Sequence, residues 1–287
     1  MHFTNAKTIL SPHNGMNLYR GCTHGCIYCD SRSECYHFDH DFCDVEVKQN
    51  APELLADALR RKRRRVMVGT GSMCDPYMPL EEKLCLTRRC LEIIYENHCG
   101  VSLITKSDLV LRDIDLLDDI NRRAKGVVQM TLTTFDEALC RVVEPNVCGT
   151  RRRFEALCAL RERGIPTVVW LTPLLPFIND TEENLRGILD YCVEAGVRGV
   201  ICFGDGVTLR RGDREYFYAA LDRHFPGLKD RYIRRYGDAY EVTSDNSAAL
   251  MRILRAECAA RSVMSDPSAV FAYLADLPPP SRQLRLL

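Results

Sequence analysis

Apolar, partly β-branched runs alternate with segments of helical period from about residue 16 to residue 225. The runs Met16–Tyr19, Val66–Gly69, Val101–Thr105, Val127–Thr133, Thr167–Thr172 and Val200–Phe203 predict six strands. Between them the period changes to that of an amphipathic helix. Leu185, Ile188, Leu189 and Cys192 step at i, i+3, i+4, i+7, and Ile114, Leu117 and Ile120 share a face. Leu84, Leu91 and Ile94 do the same in the segment starting near Glu81. Strand–helix alternation of this kind predicts a parallel sheet with right-handed crossovers. The expected fold class is α/β: a partial (β/α)6 TIM-like barrel. After residue 225 the alternation stops, and Leu250, Ile253, Leu254 and Cys258 mark a further helical stripe. The expected division is a core barrel over 1–225 and a helical C-terminal extension with a Pro-rich tail over 226–287, packed on the core. The prolines of Leu277-Pro-Pro-Pro exclude a helix there. No repeat at a solenoid period is present.

Three cysteines dominate the chemistry. Cys22, Cys26 and Cys29 lie in Tyr19-Arg-Gly-Cys-Thr-His-Gly-Cys-Ile-Tyr-Cys29, with C-x3-C-x2-C spacing. Three thiolates are one short of the four that close a structural zinc site or fully ligate a cubane iron–sulfur cluster. Such a site leaves one coordination position for something that is not protein. Gly21, Gly25 and the aromatic Tyr28 suit a loop wrapped round a bulky cluster. The loop follows the first predicted strand, at the barrel face where strand ends and helix starts gather catalytic groups. A zinc knuckle is the competing reading, with Cys35, Cys43, His24, His37 or His40 as fourth ligand; the spacings are irregular and no second C-x2-C completes a ribbon.

The cysteine loop resembles that of the radical S-adenosylmethionine (SAM) superfamily. There, three cysteines bind a 4Fe–4S cluster whose fourth iron is chelated by the amino and carboxylate groups of SAM. The segment Val66-Met-Val-Gly-Thr-Gly-Ser-Met-Cys-Asp-Pro-Tyr77 is similar to the spore photoproduct lyase-like branch. Further matches are Leu86-Thr-Arg-Arg, Ile104-Thr-Lys-Ser, Met130-Thr-Leu and Glu144-Pro145, so that the resemblance covers about residues 16 to 205. It implies a radical SAM enzyme, lyase-like and of unknown substrate. Such an enzyme reductively cleaves SAM to a 5′-deoxyadenosyl radical that abstracts hydrogen. It also implies cofactor roles for five residues. Asp75 would meet the SAM ammonium or ribose, Lys106 its carboxylate, Thr131 and Thr172 its polar parts, and Tyr28 the adenine. The chain departs from the lyases at the position of their hydrogen-donor cysteine, which reads Ser72, and after the third cluster cysteine, which is followed by Asp30. Thymine-dimer repair therefore does not transfer, and Cys74, directly before Asp75, is the candidate catalytic hydrogen donor.

Composition changes this picture little. Charges balance at 39 basic against 39 acidic residues, so no global field points to nucleic acid or membrane. Fifteen cysteines in 287 residues fall short of a disulfide scaffold, and a cytoplasmic setting with reduced thiols is expected. Cys85, Cys158, Cys192 and Cys258 read as small hydrophobes on helix stripes. The start has no signal-peptide pattern and no apolar run reaches a membrane span. The implied partner is a one-electron donor such as flavodoxin or ferredoxin, and a nucleic-acid substrate, as for a DNA-lesion lyase, stays open. The steepest basic run, Arg60-Arg-Lys-Arg-Arg-Arg65, falls at the end of a helix, on the barrel face opposite the chemistry. Arg151 to Arg153 and Arg210-Arg211 follow strands and are placed to reach a phosphate or carboxylate at the chemical face.

Overall fold

Six strands run parallel in sequence order: β1 (Gly15–Met16), β2 (Met67–Thr70), β3 (Gly100–Thr105), β4 (Gly126–Thr131), β5 (Thr167–Trp170) and β6 (Gly199–Ile201). The computed structural model describes residues 1–279. Crossover helices α1 (Ala51–Arg60), α2 (Leu86–Glu96), α3 (Ile114–Arg123), α4 (Thr150–Glu162) and α5 (Glu182–Glu194) separate successive strands. The sheet is the expected open, partial barrel of α/β class. Period-2 alternation divides each strand between two cores. In β4, Val128 and Met130 join the large core under the helices, whereas Gln129 and Thr131 line the barrel lumen. The predicted helix stripes are the buried faces: Leu185, Ile188, Leu189 and Cys192 of α5 are all at most 3% exposed. Burial of each such aliphatic chain contributes about 1.5–3 kcal/mol.

Two local expectations are corrected. The strand expected over Met16–Tyr19 leaves the barrel after Met16, and Tyr19–Arg20 instead pairs antiparallel with Glu46–Lys48 in a separate sheet. A short apolar run has no means of encoding that change of partner. The helix expected from Glu81 breaks at Cys85, which is left-handed (φ 48°) between Glu81–Leu84 and α2. Cys85 thus caps a helix rather than packing on a stripe.

The chain beyond β6 closes the floor of the lumen. Helices α6 (Asp213–His224), α7 (Leu228–Tyr236), α8 (Ser247–Ala260) and α9 (Pro267–Ala275) follow. Met264 bridges to Gly199 beside β6, and Val270 and Leu274 of α9 pack on Val127, Val168 and Ile201. Lys125, just before β4, donates to the Asp276 carbonyl at 2.8 Å; Arg65, just before β2, donates to that of Pro278 at 2.8 Å. The end of the basic run therefore anchors the C-terminal segment at the strand starts. Pro279 is the last described residue, and the rest of the Pro-rich tail lies outside.

The cysteine loop hangs on a buried ion pair. Tyr28 Oη donates to Glu144, and Glu144 faces the Arg153 guanidinium at 2.5 Å, both side chains fully buried. Arg153 also donates to the carbonyls of Thr131 and Cys148, each at 2.9 Å, which ties α4 to the end of β4. Burial works against the Glu144 carboxylate, but Arg153 and Lys106 hold its pKa below the ordinary value. Backbone bonds complete the suspension, from Ile27 N to Val143 O at 3.0 Å and from Asn146 N to His24 O at 3.1 Å. Arg153 is thus part of the frame and cannot reach substrate; Arg151 and Arg152 are exposed and pair with Glu155, and Arg152 with Asp108. Removing one member strands the other in low dielectric, so Arg153→Ala is expected to lose about 3–5 kcal/mol of stability. Urea unfolding of the chain measures this, and a loss below about 1 kcal/mol contradicts the assigned role.

Candidate active site

The site begins with two glycines. Gly21 opens the cysteine loop at φ +91°, where a Cβ would lie 2.5 Å from the Phe42 carbonyl oxygen. Gly71 turns the chain out of β2 at φ +96°, where a Cβ would lie 2.2 Å from that of Ile104. Both conformations suit glycine alone. They bring the loop and the Ser72–Asp75 segment against the ends of β3 and β4.

A cavity of about 100 Å³ forms between these segments, lined by Cys22, Cys26 and Cys29 together with Tyr28, Cys74, Asp75, Lys106 and Thr131. Seven of the eight cofactor and metal residues expected from sequence, and Cys74, therefore share one cavity. Thr172 borders only the adjoining lumen, a space of about 830 Å³ that also touches Gly71, Ser72, Ile104, Lys106 and Thr131. Sequence reasoning missed His24 as a member of this site. It lines the cavity, is 3% exposed, and sets its Nδ1 3.6 Å from Asp75. Its place between two loop cysteines was the available signal. Gln129 and Trp170 in the lumen were also missed: Trp170 Nε1 donates to Gln129, which donates to Ser102, each at 2.8 Å.

Asp75 is held on three sides. Its carboxylate accepts from Tyr77 N at 2.8 Å, Thr105 Oγ1 at 2.7 Å and Lys106 N at 2.7 Å. A carboxylate offers roughly four acceptor sites, so one remains. Lys106 contributes only its backbone to Asp75. Its ammonium lies 5.9 Å from the Tyr28 ring centroid and takes no carboxylate within 4 Å among the described residues. Burial disfavours the Lys106 charge, yet Cys26, Glu144, Asp75 and Cys29 raise its pKa above the ordinary lysine value.

The thiols respond to burial in the opposite sense. Burial pushes Cys22 up to about 12, Cys26 well above the usual thiol value and Cys29 upward; Lys106 pulls Cys26 and Cys29 back. A metal binding here displaces their protons. Cys74 is also pushed up to about 12 by burial, and its Sγ donates to the Tyr19 carbonyl at 3.2 Å. His24 is held below its ordinary value by burial, against the pull of Asp75. Cys35 and Cys43 are exposed and lie outside the cavity. Arg210 reaches the loop but is engaged there, 3.3 Å from Asp30.

Comparison with known proteins follows this geometry. An uncharacterized protein of Mycobacterium tuberculosis is 32% identical over 227 residues, 77% of this chain and 66% of that protein. An uncharacterized protein of Methanocaldococcus jannaschii is 33% identical over 169 residues, 58% of this chain and 62% of that one. The chain thus spans a little under two thirds of the length of these relatives. A protein of Pseudomonas phage M6, named radical SAM Nalpha-GlyT isomerase, is 23% identical over 180 residues, 63% of this chain and 36% of that one. Among solved structures, spore photoproduct lyase complexed with dinucleoside spore photoproduct shares the fold, with TM-score 0.62 and 14% identity, covering 86% of this chain and 74% of that one. The Radical SAM superfamily family model matches residues 16–192, from β1 through the cysteine loop to α5, and the chain belongs to the radical SAM superfamily.

Proposed function

We propose that Cys22, Cys26 and Cys29 hold a 4Fe–4S cluster, and that the adjoining cavity and lumen hold SAM. One observation carries this reading: the three loop thiols and the Lys106 ammonium line a single cavity, which adjoins the barrel lumen. Two sulfurs on one zinc ion lie at most about 4.6 Å apart. Among the described residues, the one group of three metal-ligating side chains mutually within 4.8 Å is His2, His40 and Asp44. The loop thiols are not such a preformed group, while they line one space, as a polynuclear cluster requires. This weighs against a zinc knuckle.

When bound, the cluster and SAM supply one-electron cleavage to methionine and a 5′-deoxyadenosyl radical that abstracts hydrogen from substrate. The chain's own residues bind, orient and seal. Lys106 offers its ammonium to the SAM carboxylate, a charge-assisted bond in a space with little water. Asp75 fixes the backbone of Lys106 and the Thr105 hydroxyl, and its remaining acceptor site would take the SAM ammonium or ribose. Thr131 and Thr172 present hydroxyls from successive strand ends. Tyr28, held by Glu144, gives a ring edge for adenine. Cys74 is the hydrogen donor in this proposal: its burial keeps the S–H intact at neutral pH, and it borders the cavity beside Ser72.

A nucleic-acid substrate is the second reading. The rings of Trp170, Phe203 and Phe271 cluster with centroids 5.9–6.3 Å apart, and Phe203 and Phe271 are 45% and 42% exposed, a surface on which an unpaired base can stack. The dinucleoside held by the lyase of like fold agrees with this reading.

Five variants test the site. After anaerobic reconstitution, Cys26→Ala is expected to lose iron and SAM cleavage, while Cys35→Ala and Cys43→Ala retain both; loss of iron in Cys35→Ala assigns a fourth protein ligand and ends the SAM-chelation reading. Lys106→Ala is expected to keep its iron and bind SAM about ten- to hundredfold more weakly, the equivalent of about 1.5–3 kcal/mol, by calorimetry; unchanged affinity removes Lys106 from the SAM site. Cys74→Ala is expected to assemble its cluster and release 5′-deoxyadenosine at the wild-type rate without substrate. Failure of this variant to take up iron makes Cys74 structural.

A further inference from the structure

The cysteine loop has an outer face as well as an inner one. Cys22, His24, Cys26, Tyr28 and Cys29 point into the cofactor cavity, whereas the intervening Gly25 and Ile27 form the floor of a separate surface groove of about 440 Å³. Pro145 and Ala220 give the groove apolar walls. The Tyr216 hydroxyl, 3.3 Å from the Gly25 carbonyl oxygen, fixes α6 against the loop. Three exposed basic residues stand on the rim: Arg141 on one side, Arg223 and His224 at the end of α6 on the other. Neither arginine has a carboxylate within 4 Å among the described residues; the neighbouring acids are engaged, Asp222 by Lys229 at 2.7 Å and Glu137 by the backbone of Arg151 at 2.6 Å.

We propose that this groove docks a small acidic one-electron carrier protein of the flavodoxin type, which delivers its electron across the outer face of the cysteine loop. The proposal rests on the cluster reading above, because only then does the loop need an electron. Position, shape and charge support it. Gly25 and Ile27 flank Cys26 in sequence, so a carrier seated in the groove is separated from a cluster-bearing cysteine by the loop backbone alone. SAM and substrate occupy the opposite side, so docking does not compete with turnover. An apolar floor with two arginines lacking carboxylate partners on its rim complements an acidic surface with an apolar redox centre at its middle. In the transfer the reduced carrier loses one electron and the cluster gains one; no bond or proton moves.

Rim charges act chiefly on encounter rate and its salt dependence. The test compares wild type with the Arg141→Glu/Arg223→Glu variant, using flavodoxin as probe. Calorimetric binding of flavodoxin to the reconstituted chain at low salt is expected to weaken about tenfold or more in the variant, and wild-type binding is expected to weaken steeply with added salt. SAM cleavage driven by flavodoxin hydroquinone is expected to fall in parallel. Iron content and dithionite-driven SAM cleavage, which need no docking, are expected to stay at wild-type levels. Equal flavodoxin affinity and equal flavodoxin-driven rates in the two proteins overturn the proposal while leaving the cluster reading intact. Absence of dithionite-driven cleavage in wild type overturns the cluster reading, and the docking proposal falls with it. A dimer in sedimentation that dissociates in the variant assigns the groove to a second copy of the chain, which also overturns it.

Discussion

The fully buried Glu144–Arg153 pair is the interaction on which the site depends. An ion pair in so dry a place gives little net stability over an apolar equivalent. Its contribution is positional: Arg153 binds the carbonyls that end β4, Glu144 takes the Tyr28 hydroxyl, and Tyr28 stands next to Cys29. Ile27 anchors the loop in a small apolar cluster with Val143, Phe217 and Leu221. The loop is also fixed by charge-assisted bonds to an element that the barrel already holds rigid. The same carboxylate raises the Lys106 pKa, so frame and site electrostatics share one group.

Much of the architecture was legible because alternation and helical period are direct consequences of burial. The residues at strand ends, Asp75, Lys106 and Thr131, could be placed at one face from the predicted strands alone. What was not legible depended on contacts distant in sequence. Tyr19 leaves the barrel to pair with Val47, a choice of partner that two apolar residues do not reveal. Arg153 stands in a run of three arginines with identical local character, and only the rotation of α4 turns it inward while Arg151 and Arg152 face solvent. Asp75 was expected mainly to meet SAM; its engagement with Thr105 and Lys106 needs the parallel neighbour β3. The closing of the lumen floor by Val270 and Leu274 was equally hidden, because an amphipathic stripe does not name what it packs on.

The cysteine loop separates two spaces. Cys22, Cys26 and Cys29 border the thiol cavity and Gly25 and Ile27 border the outer groove, so that a short stretch of chain separates the two. The lumen, walled by strands and bordered by α9, shares Gly71, Lys106 and Thr131 with the thiol cavity.

The central claim is that SAM completes the coordination of a cluster held by three cysteines. Electron–nuclear double resonance on the reduced, reconstituted protein with SAM labelled by 15N at its amino group tests this most directly. The account expects a nitrogen hyperfine coupling to the cluster that appears on adding labelled SAM and is absent without it. A reduced cubane with no coupling to the SAM nitrogen, or a protein that takes up zinc in place of iron, would contradict it.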